Sequence, residues 1–171
     1  EQDQDPAHGA GRLERCFQNL FRGHCHRTCH LSDHLPPYAA WDASHTKECR
    51  LVLLVNDVIA GWTALHRVDP RWCYRGVAEV SIYVGEQFRG HGLGYHLLTE
   101  LCHQAEKAGY WTLQSTVLQD NAASRALHTK CGFRLVGRRE RIARDCHGRW
   151  LDTFLMEYRA AANEPEGYKK L

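Results

Sequence analysis

Residues 88–109 read Phe-Arg-Gly-His-Gly-Leu-Gly-Tyr-His-Leu-Leu-Thr-Glu-Leu-Cys-His-Gln-Ala-Glu-Lys-Ala-Gly, and this stretch decides the fold. Its glycines give way to a helix in which Leu93, Leu97, Leu101 and Ala105 share one face, with Gly109 placed as the cap. Just before it, Val77 to Val84 alternates apolar and polar side chains, as a half-buried strand does. Glycines in a strand-to-helix turn let backbone N–H groups approach an anion, and the helix N-terminus adds a favourable dipole. The spacing excludes two other phosphate cradles. A Walker loop closes on Gly-Lys-Ser/Thr, which is absent; a dinucleotide fingerprint places its third glycine three residues after the second, and here it comes after two. Taken alone, the turn reads equally well as a plain tight turn.

Outward from this stretch, strands are predicted over Arg50–Val55 and Val58–His66, joined at Asn56-Asp57, a pair suited to a tight hairpin. Trp111–Leu118 reads as a strand and Asn121–Lys130 as a short helix closed by Gly132. Phe133–Arg141 and Trp150–Tyr158 read as a hairpin around Asp145–Gly148. Leu13, Phe17, Leu20 and Phe21 recur at helical spacing and predict a helix from Arg12 to Arg22, whereas Gly23 to Ala40, with Pro36 and Pro37, is expected to be irregular. Residues 1–12 are expected to be disordered or altered and 160–171 to form a frayed tail, leaving 13–159 as one domain. Strands on both sides of a central helix imply an α/β domain with a mixed central sheet flanked by helices.

A chain of 171 residues suits one such domain, and 43% hydrophobic with 25% charged residues is the balance of a soluble protein. The longest purely apolar run, Leu51–Val55, is too short to span a membrane. The acidic start Glu-Gln-Asp-Gln-Asp-Pro is the reverse of a signal peptide. Net charge is +2 without a basic stripe, which argues against nucleic acid as a partner. Without a secretion signal, the eight cysteines are expected to be free thiols in a reducing cytoplasm, with Cys49, Cys102 and Cys131 read as small buried hydrophobes.

Arg89-Gly90-His91-Gly92-Leu93-Gly94, following a strand, resembles the Arg-x-x-Gly-x-Gly pyrophosphate-binding signature of the GNAT N-acetyltransferases. Asn121-Ala-Ala-Ser124-Arg-Ala-Leu127-His128-Thr-Lys-Cys-Gly132-Phe133 is similar to the second coenzyme-contacting segment of that superfamily. Three further pieces resemble its phosphinothricin, arsinothricin and methionine sulfone acetyltransferase branch: Ala78–Val84, Trp111–Gln114 and Gly148–Asp152. The match is close from Tyr74 to Met156 and loose from Leu13 to Trp41. One departure is plain. Family members open with a short apolar strand, and nothing in Glu-Gln-Asp-Gln-Asp-Pro-Ala-His-Gly-Ala-Gly resembles one, so the first strand is expected to be missing or altered.

The resemblance implies acetyl-CoA as cosubstrate, a small amino-acid-like acceptor of the phosphinothricin, methionine sulfone, methionine sulfoximine or arsinothricin type, a cytoplasmic homodimer, and no metal or membrane. Coenzyme contacts fall on Ile82, Tyr83 and Val84, on Arg89, Gly90, His91, Gly92, Leu93, Gly94 and Tyr95, and on Asn121 and Ser124. Acetyl transfer needs an unprotonated amine, a donor to the thioester oxygen, and two reactants held together. Glu79 stands where the branch has its catalytic glutamate and is the expected base, directly or through one water; otherwise it is a solvated strand residue or an ammonium anchor. An amide near Ile82–Val84 would polarise the thioester carbonyl, which requires a splayed strand that sequence does not reveal. His128 takes the place of a tyrosine that protonates the thiolate in many members; it would donate that proton, orient the acceptor, or serve structure alone. Asn121 also suits a helix N-cap.

Arg71, Tyr74 and Arg75 lie before the glutamate strand, where a guanidinium would fork onto the acceptor's anionic end; solvated loop charge is the alternative. Trp41 and Trp150 would wall the pocket or pack the core. Leu31 stands where the branch often has phenylalanine. Three other readings compete. His26, His30 and His34, with Cys25 and Cys29, have helical metal-ligand spacing, but Gly23, Thr28 and two closing prolines argue against a helix there. A non-catalytic acyl-CoA sensor would keep the cradle and lose the base, yet Glu79 is present. Acetylation of protein N-termini or polyamines would favour an acidic groove over the arginines near Tyr74.

Overall fold

Pro37 starts the first helix among the residues described by the computed structural model, 37–145 and 147–163. Its carbonyl accepts from the amides of Ala40 (2.9 Å) and Trp41 (3.1 Å) and opens α1 (Tyr38–Ser44). Residues 38–40, expected to be irregular, are therefore helical. A proline forbids a helix ahead of it but presets the φ with which one begins. The predicted helix 12–22, the histidine and cysteine spacing at 25–34, Leu31 and the segment expected to lack a first strand lie outside the described residues.

β1 (Leu51–Val55) and β2 (Val58–Arg67) form the expected hairpin, with Val55 opposite Val58. Asn56 (φ 49°) and Asp57 (φ 59°) both take the left-handed conformation of a two-residue turn whose twist matches the strands. β3 (Val77–Val84) lies antiparallel to β2, and α2 (Leu93–Lys107) crosses back so that β4 (Thr112–Leu118) runs parallel to β3. After α3 (Ala122–Lys130), β5 (Arg134–Arg144) and β6 (Trp150–Arg159) close a mixed sheet of order β1-β2-β3-β4-β6-β5. This is the single α/β domain anticipated from the sequence.

Strand alternation sorts the core onto two faces. Leu65, Ala78, Val80, Leu113 and Val117 pack beneath Leu98, Leu101, Cys102 and Ala105 of α2. On the other face Trp62 and Ala64 pack with Trp41 of α1, and Tyr83 lies against them. Full burial of a leucine such as Leu98 or Leu101 stabilises by about 1.5–3 kcal/mol, so α2 is the main clamp on the sheet. The tail expected to fray from residue 160 is folded through 163. Ala160 is buried, its amide donates to the Trp111 carbonyl (3.1 Å), and Asn163 Nδ2 donates to the carbonyls of Glu106 (2.8 Å) and Tyr110 (3.0 Å). Residues 164–171 lie outside the described residues.

Candidate active site

The parallel ladder between β3 and β4 has only three rungs: Val77 with Thr112, Ala78 with Leu113, and Glu79 with Gln114. Beyond them the strands part. From Val80 to Val84 the backbone of β3 is laddered only to β2, and from Ser115 to Leu118 that of β4 only to β6. This is the splay that the chemistry requires. A cavity of about 230 Å³ opens in it, lined by His66, Glu79, Ser81, Ser115, Asn121 and His128 among others. A second of about 560 Å³ continues from Ile82, Tyr83 and Val84 along residues 88–95 to α3.

Glu79 sits at the crotch of the splay. Gln114 Nε2 donates to its Oε2 at 3.0 Å, and among the described residues Oε1 has no hydrogen-bond partner. His66, opposite Glu79 in the β2–β3 register, brings Nε2 to 3.8 Å from the same Oε2. Next along that face, His45 Nε2 lies 3.3 Å from Ser81 Oγ. The Trp41 carbonyl 2.9 Å from His45 Nδ1 can only accept, so Nδ1 carries the proton and Ser81 donates to Nε2. Burial lowers the His45 pKa, the main cause, and leaves the ring neutral at pH 7.

The larger cavity has the form of an anion cradle. Gly90 (φ 80°) and Gly92 (φ 76°) take conformations that side chains rarely adopt, and a Cβ on either would meet open space. Gly92 caps α2 without a side-chain hydrogen bond, so the first amides of the helix have no capping side chain. Gly94 serves a different end: a Cβ there would stand 3.2 Å from Leu127 Cδ2, so its absence lets α2 close on α3. Arg89, Leu93, Tyr95 and Lys130 complete the wall, with Lys130 Nζ 4.7 Å from the Tyr95 ring centre. His91 is exposed and borders neither cavity. Cations and backbone amides around an open groove fit a pyrophosphate.

α3 presents its cap and one face to both cavities. Asn121 Oδ1 accepts from the Ser124 amide (3.0 Å), the N-cap expected of it, and the Ser124 carbonyl accepts from His128 Nδ1 (2.8 Å). His128 is 1% exposed and its Nε2 has no partner. With the proton held on Nδ1 and its pKa lowered by burial, Nε2 is a lone pair and not an acid at neutral pH. The expected proton donation to a thiolate therefore does not fit the tautomer, since Nε2 can only accept.

The structure does not bring Arg71, Tyr74 and Arg75 to the splay. Asp69 fills the Arg71 fork, with Nε to Oδ1 at 2.9 Å and Nη2 to Oδ2 at 2.8 Å, while Arg71 also lies over Tyr74. Arg75 lies between Trp72 (4.1 Å to the ring centre) and Trp111 (5.1 Å). None of the three lines either cavity. Trp150 is exposed beneath Arg144, and Trp41 is a core residue. Sequence reasoning missed His45 and His66, although the strand it placed over Val58–His66 ends on a histidine and pairs with the glutamate strand. Among the described residues no cluster of histidine, cysteine or acidic side chains could hold a metal, and no helix is long and apolar enough to cross a membrane.

Comparison with known proteins bears on this geometry directly. The profile of the Acetyltransferase (GNAT) family matches residues 14–133. The chain belongs to that family. Among its relatives, the L-methionine sulfoximine/L-methionine sulfone acetyltransferase of Pseudomonas paraeruginosa is 31% identical over 121 residues, 69% of this chain and 70% of the relative. The phosphinothricin N-acetyltransferase of Alcaligenes faecalis is 33% identical over 100 residues, 58% of this chain and 50% of the relative. A GNAT superfamily phosphinothricin acetyltransferase from Sinorhizobium meliloti, solved in complex with AcCoA, superposes with a TM-score of 0.77 at 25% identity, covering 97% of this chain and 92% of that one. As a GNAT N-acetyltransferase, the protein uses acetyl-CoA as its acetyl donor.

Proposed function

We propose that the protein transfers the acetyl group of acetyl-CoA to the α-amine of a small amino acid with a tetrahedral, oxygen-rich end, such as phosphinothricin, methionine sulfone, methionine sulfoximine or arsinothricin. The observation that carries this reading is the carboxylate of Glu79, held by Gln114 at the crotch of the splay beside the glycine cradle. Acetyl-CoA supplies a thioester carbonyl when bound. The residues around it do the rest. Amides of residues 90–95 hold the pyrophosphate, and Asn121 and Ser124 border the pantetheine path. The backbone of Ile82–Val84, paired with β2 on one edge and unpaired on the edge facing β4, supplies a donor to the carbonyl oxygen. Glu79 takes the proton from the acceptor ammonium, and the His128 Nε2 lone pair orients a donor opposite it.

Two further points complete the proposal. Leu135, Val136, Ile142 and Trp150 are exposed on the β5–β6 hairpin, apolar surface that supports a homodimer. Cys49, Cys73, Cys102 and Cys131 are unpaired, which supports a cytoplasmic location. The test is a thiol-release assay with acetyl-CoA, setting the four amino acids against spermidine and a peptide with a free N-terminus. Turnover confined to the amino acids is expected. Preference for spermidine or the peptide overturns the acceptor class.

A further inference from the structure

We propose that His66 carries the acceptor's proton from Glu79 to solvent, a positioning and relay role that rests on Glu79 being the base as proposed above. The reaction itself demands such a path. An acceptor amine enters as an ammonium and leaves as an amide with one N–H, so two protons depart. One ends on the coenzyme thiol and the other must reach bulk water. Glu79 is the more enclosed of the pair, its side chain 23% exposed against 36% for His66, and reactants seated in the splay enclose it further.

His66 supplies the route by position. It lies directly opposite Glu79 in the antiparallel register, so both side chains share the sheet face covered by α1. Its Nε2 stands 3.8 Å from Glu79 Oε2, longer than a hydrogen bond and closed by a small change in side-chain torsion. Its side chain is 36% exposed, so the ring spans the gap between the carboxylate and water. Gln114 meanwhile fixes the carboxylate through Oε2 and leaves Oε1 for the amine.

The charged groups around His66 favour this use. Glu79 faces it from β3, and Gln114 beyond is uncharged. On the other side is the His45 ring, 5.6 Å away between centroids. Burial keeps His45 neutral, and its two nitrogens are engaged by Trp41 and Ser81, so it neither competes for the proton nor places a second cation beside His66. Asp42 and Arg50 lie behind His45 and act on it.

The transfers balance without a co-reactant. An N–H bond of the ammonium breaks as an O–H bond forms on Glu79 Oε1. The carboxyl then turns about its Cγ–Cδ bond, so that Oε1 takes the place of Oε2 beside His66 and Oε2 leaves the Gln114 amide, and the O–H bond breaks as an N–H bond forms on His66 Nε2. The imidazolium finally gives a proton to water, which restores a neutral ring and an ionised Glu79.

One set of measurements on the full chain tests this. His66→Gln is assayed with acetyl-CoA and the preferred acceptor. A fall in turnover of about tenfold or more, with unchanged acetyl-CoA affinity and restoration by added imidazole, is expected. Glu79→Gln should not be restored. Normal turnover in His66→Gln, or a loss that imidazole leaves in place, overturns the proposal. A wild type that acetylates none of the amino acids overturns the acceptor reading instead, and the same variants with imidazole are then compared on spermidine or the peptide, whichever the wild type acetylates, which decides the relay.

Discussion

Glu79 and Gln114 form the last rung between β3 and β4, and there the Gln114 amide donates to the Glu79 carboxylate at 3.0 Å. The residue that ends the ladder thus also aims the candidate base. Glu79→Gln should lower turnover by about 10²–10⁴-fold, the usual range for a general base, while acetyl-CoA affinity is unchanged. Gln114→Leu leaves the carboxylate in place but unaimed and should cost less than Glu79→Gln does. Steady-state kinetics with calorimetric coenzyme binding checks both, and near-normal turnover of Glu79→Gln at pH 7 would make water or another group the base.

Gly92→Val should abolish acetyl-CoA binding. The position has φ 76° and faces open space, so the valine strains the backbone by about 1–2 kcal/mol and fills the cradle from inside. The fold should survive, because nothing packs against Gly92. Unchanged coenzyme affinity by calorimetry would remove the cradle assignment.

Gly76→Ala should destabilise the fold. Its Cβ would stand 2.2 Å from the Trp111 ring, and the Gly76 carbonyl accepts from the amides of Trp111 (2.9 Å) and Thr112 (3.2 Å), so the junction cannot simply shift aside. Overpacking of this kind costs about 1–3 kcal/mol. Denaturant titration followed by tryptophan fluorescence reads the change.

Stability should fall as pH drops below 6.5. Burial lowers the pKa of both His45 and His128 from the ordinary 6.5, so the unfolded chain takes up protons that the folded chain refuses. Their contribution is complete above 6.5 and is lost as pH falls toward the folded values. His128→Gln keeps a donor for the Ser124 carbonyl without a titrating group and should flatten the decline. Chemical denaturation at pH 7.5, 6 and 5 compares the two proteins.

Arg71→Lys and Arg75→Lys should leave the acceptor Michaelis constant within about twofold of the wild type, because neither guanidinium borders the splay. A large rise in either variant would return an arginine to the acceptor site.

What the sequence makes legible is local. The Asn56-Asp57 hairpin, the cradle glycines and the α2 stripe are encoded in residues a few positions apart, and each appears where its pattern places it. Misread features depend on partners elsewhere. Pro37 looks like a breaker until its carbonyl is seen to open α1. β5 runs three residues past its expected end at Arg141, because the Asp152 carboxylate takes the Arg141 amide at 2.8 Å across an irregular register. Arg71 looked available for substrate, although the Asp69 that occupies its fork stands two residues before it and was a visible signal. His66 needed the pairing of two strands to be recognised, since it stands thirteen positions before Glu79.

The three-rung junction also has a mechanical consequence. β1-β2-β3 and β4-β6-β5 are two half-sheets seamed at one end by Val77–Glu79 and Thr112–Gln114 and bridged elsewhere mainly by α2 and α3. A molecule lodged in the wedge becomes a structural member and ties the halves where the protein's own hydrogen bonds stop. Occupancy then raises rigidity as well as reactivity: at a hundred times its dissociation constant such a ligand adds about 2.7 kcal/mol to the stability of the whole chain. Amides of Val80–Val84 that point away from β2 gain protection when the wedge is filled, so a hydrogen-exchange experiment can count the rungs that the substrate supplies.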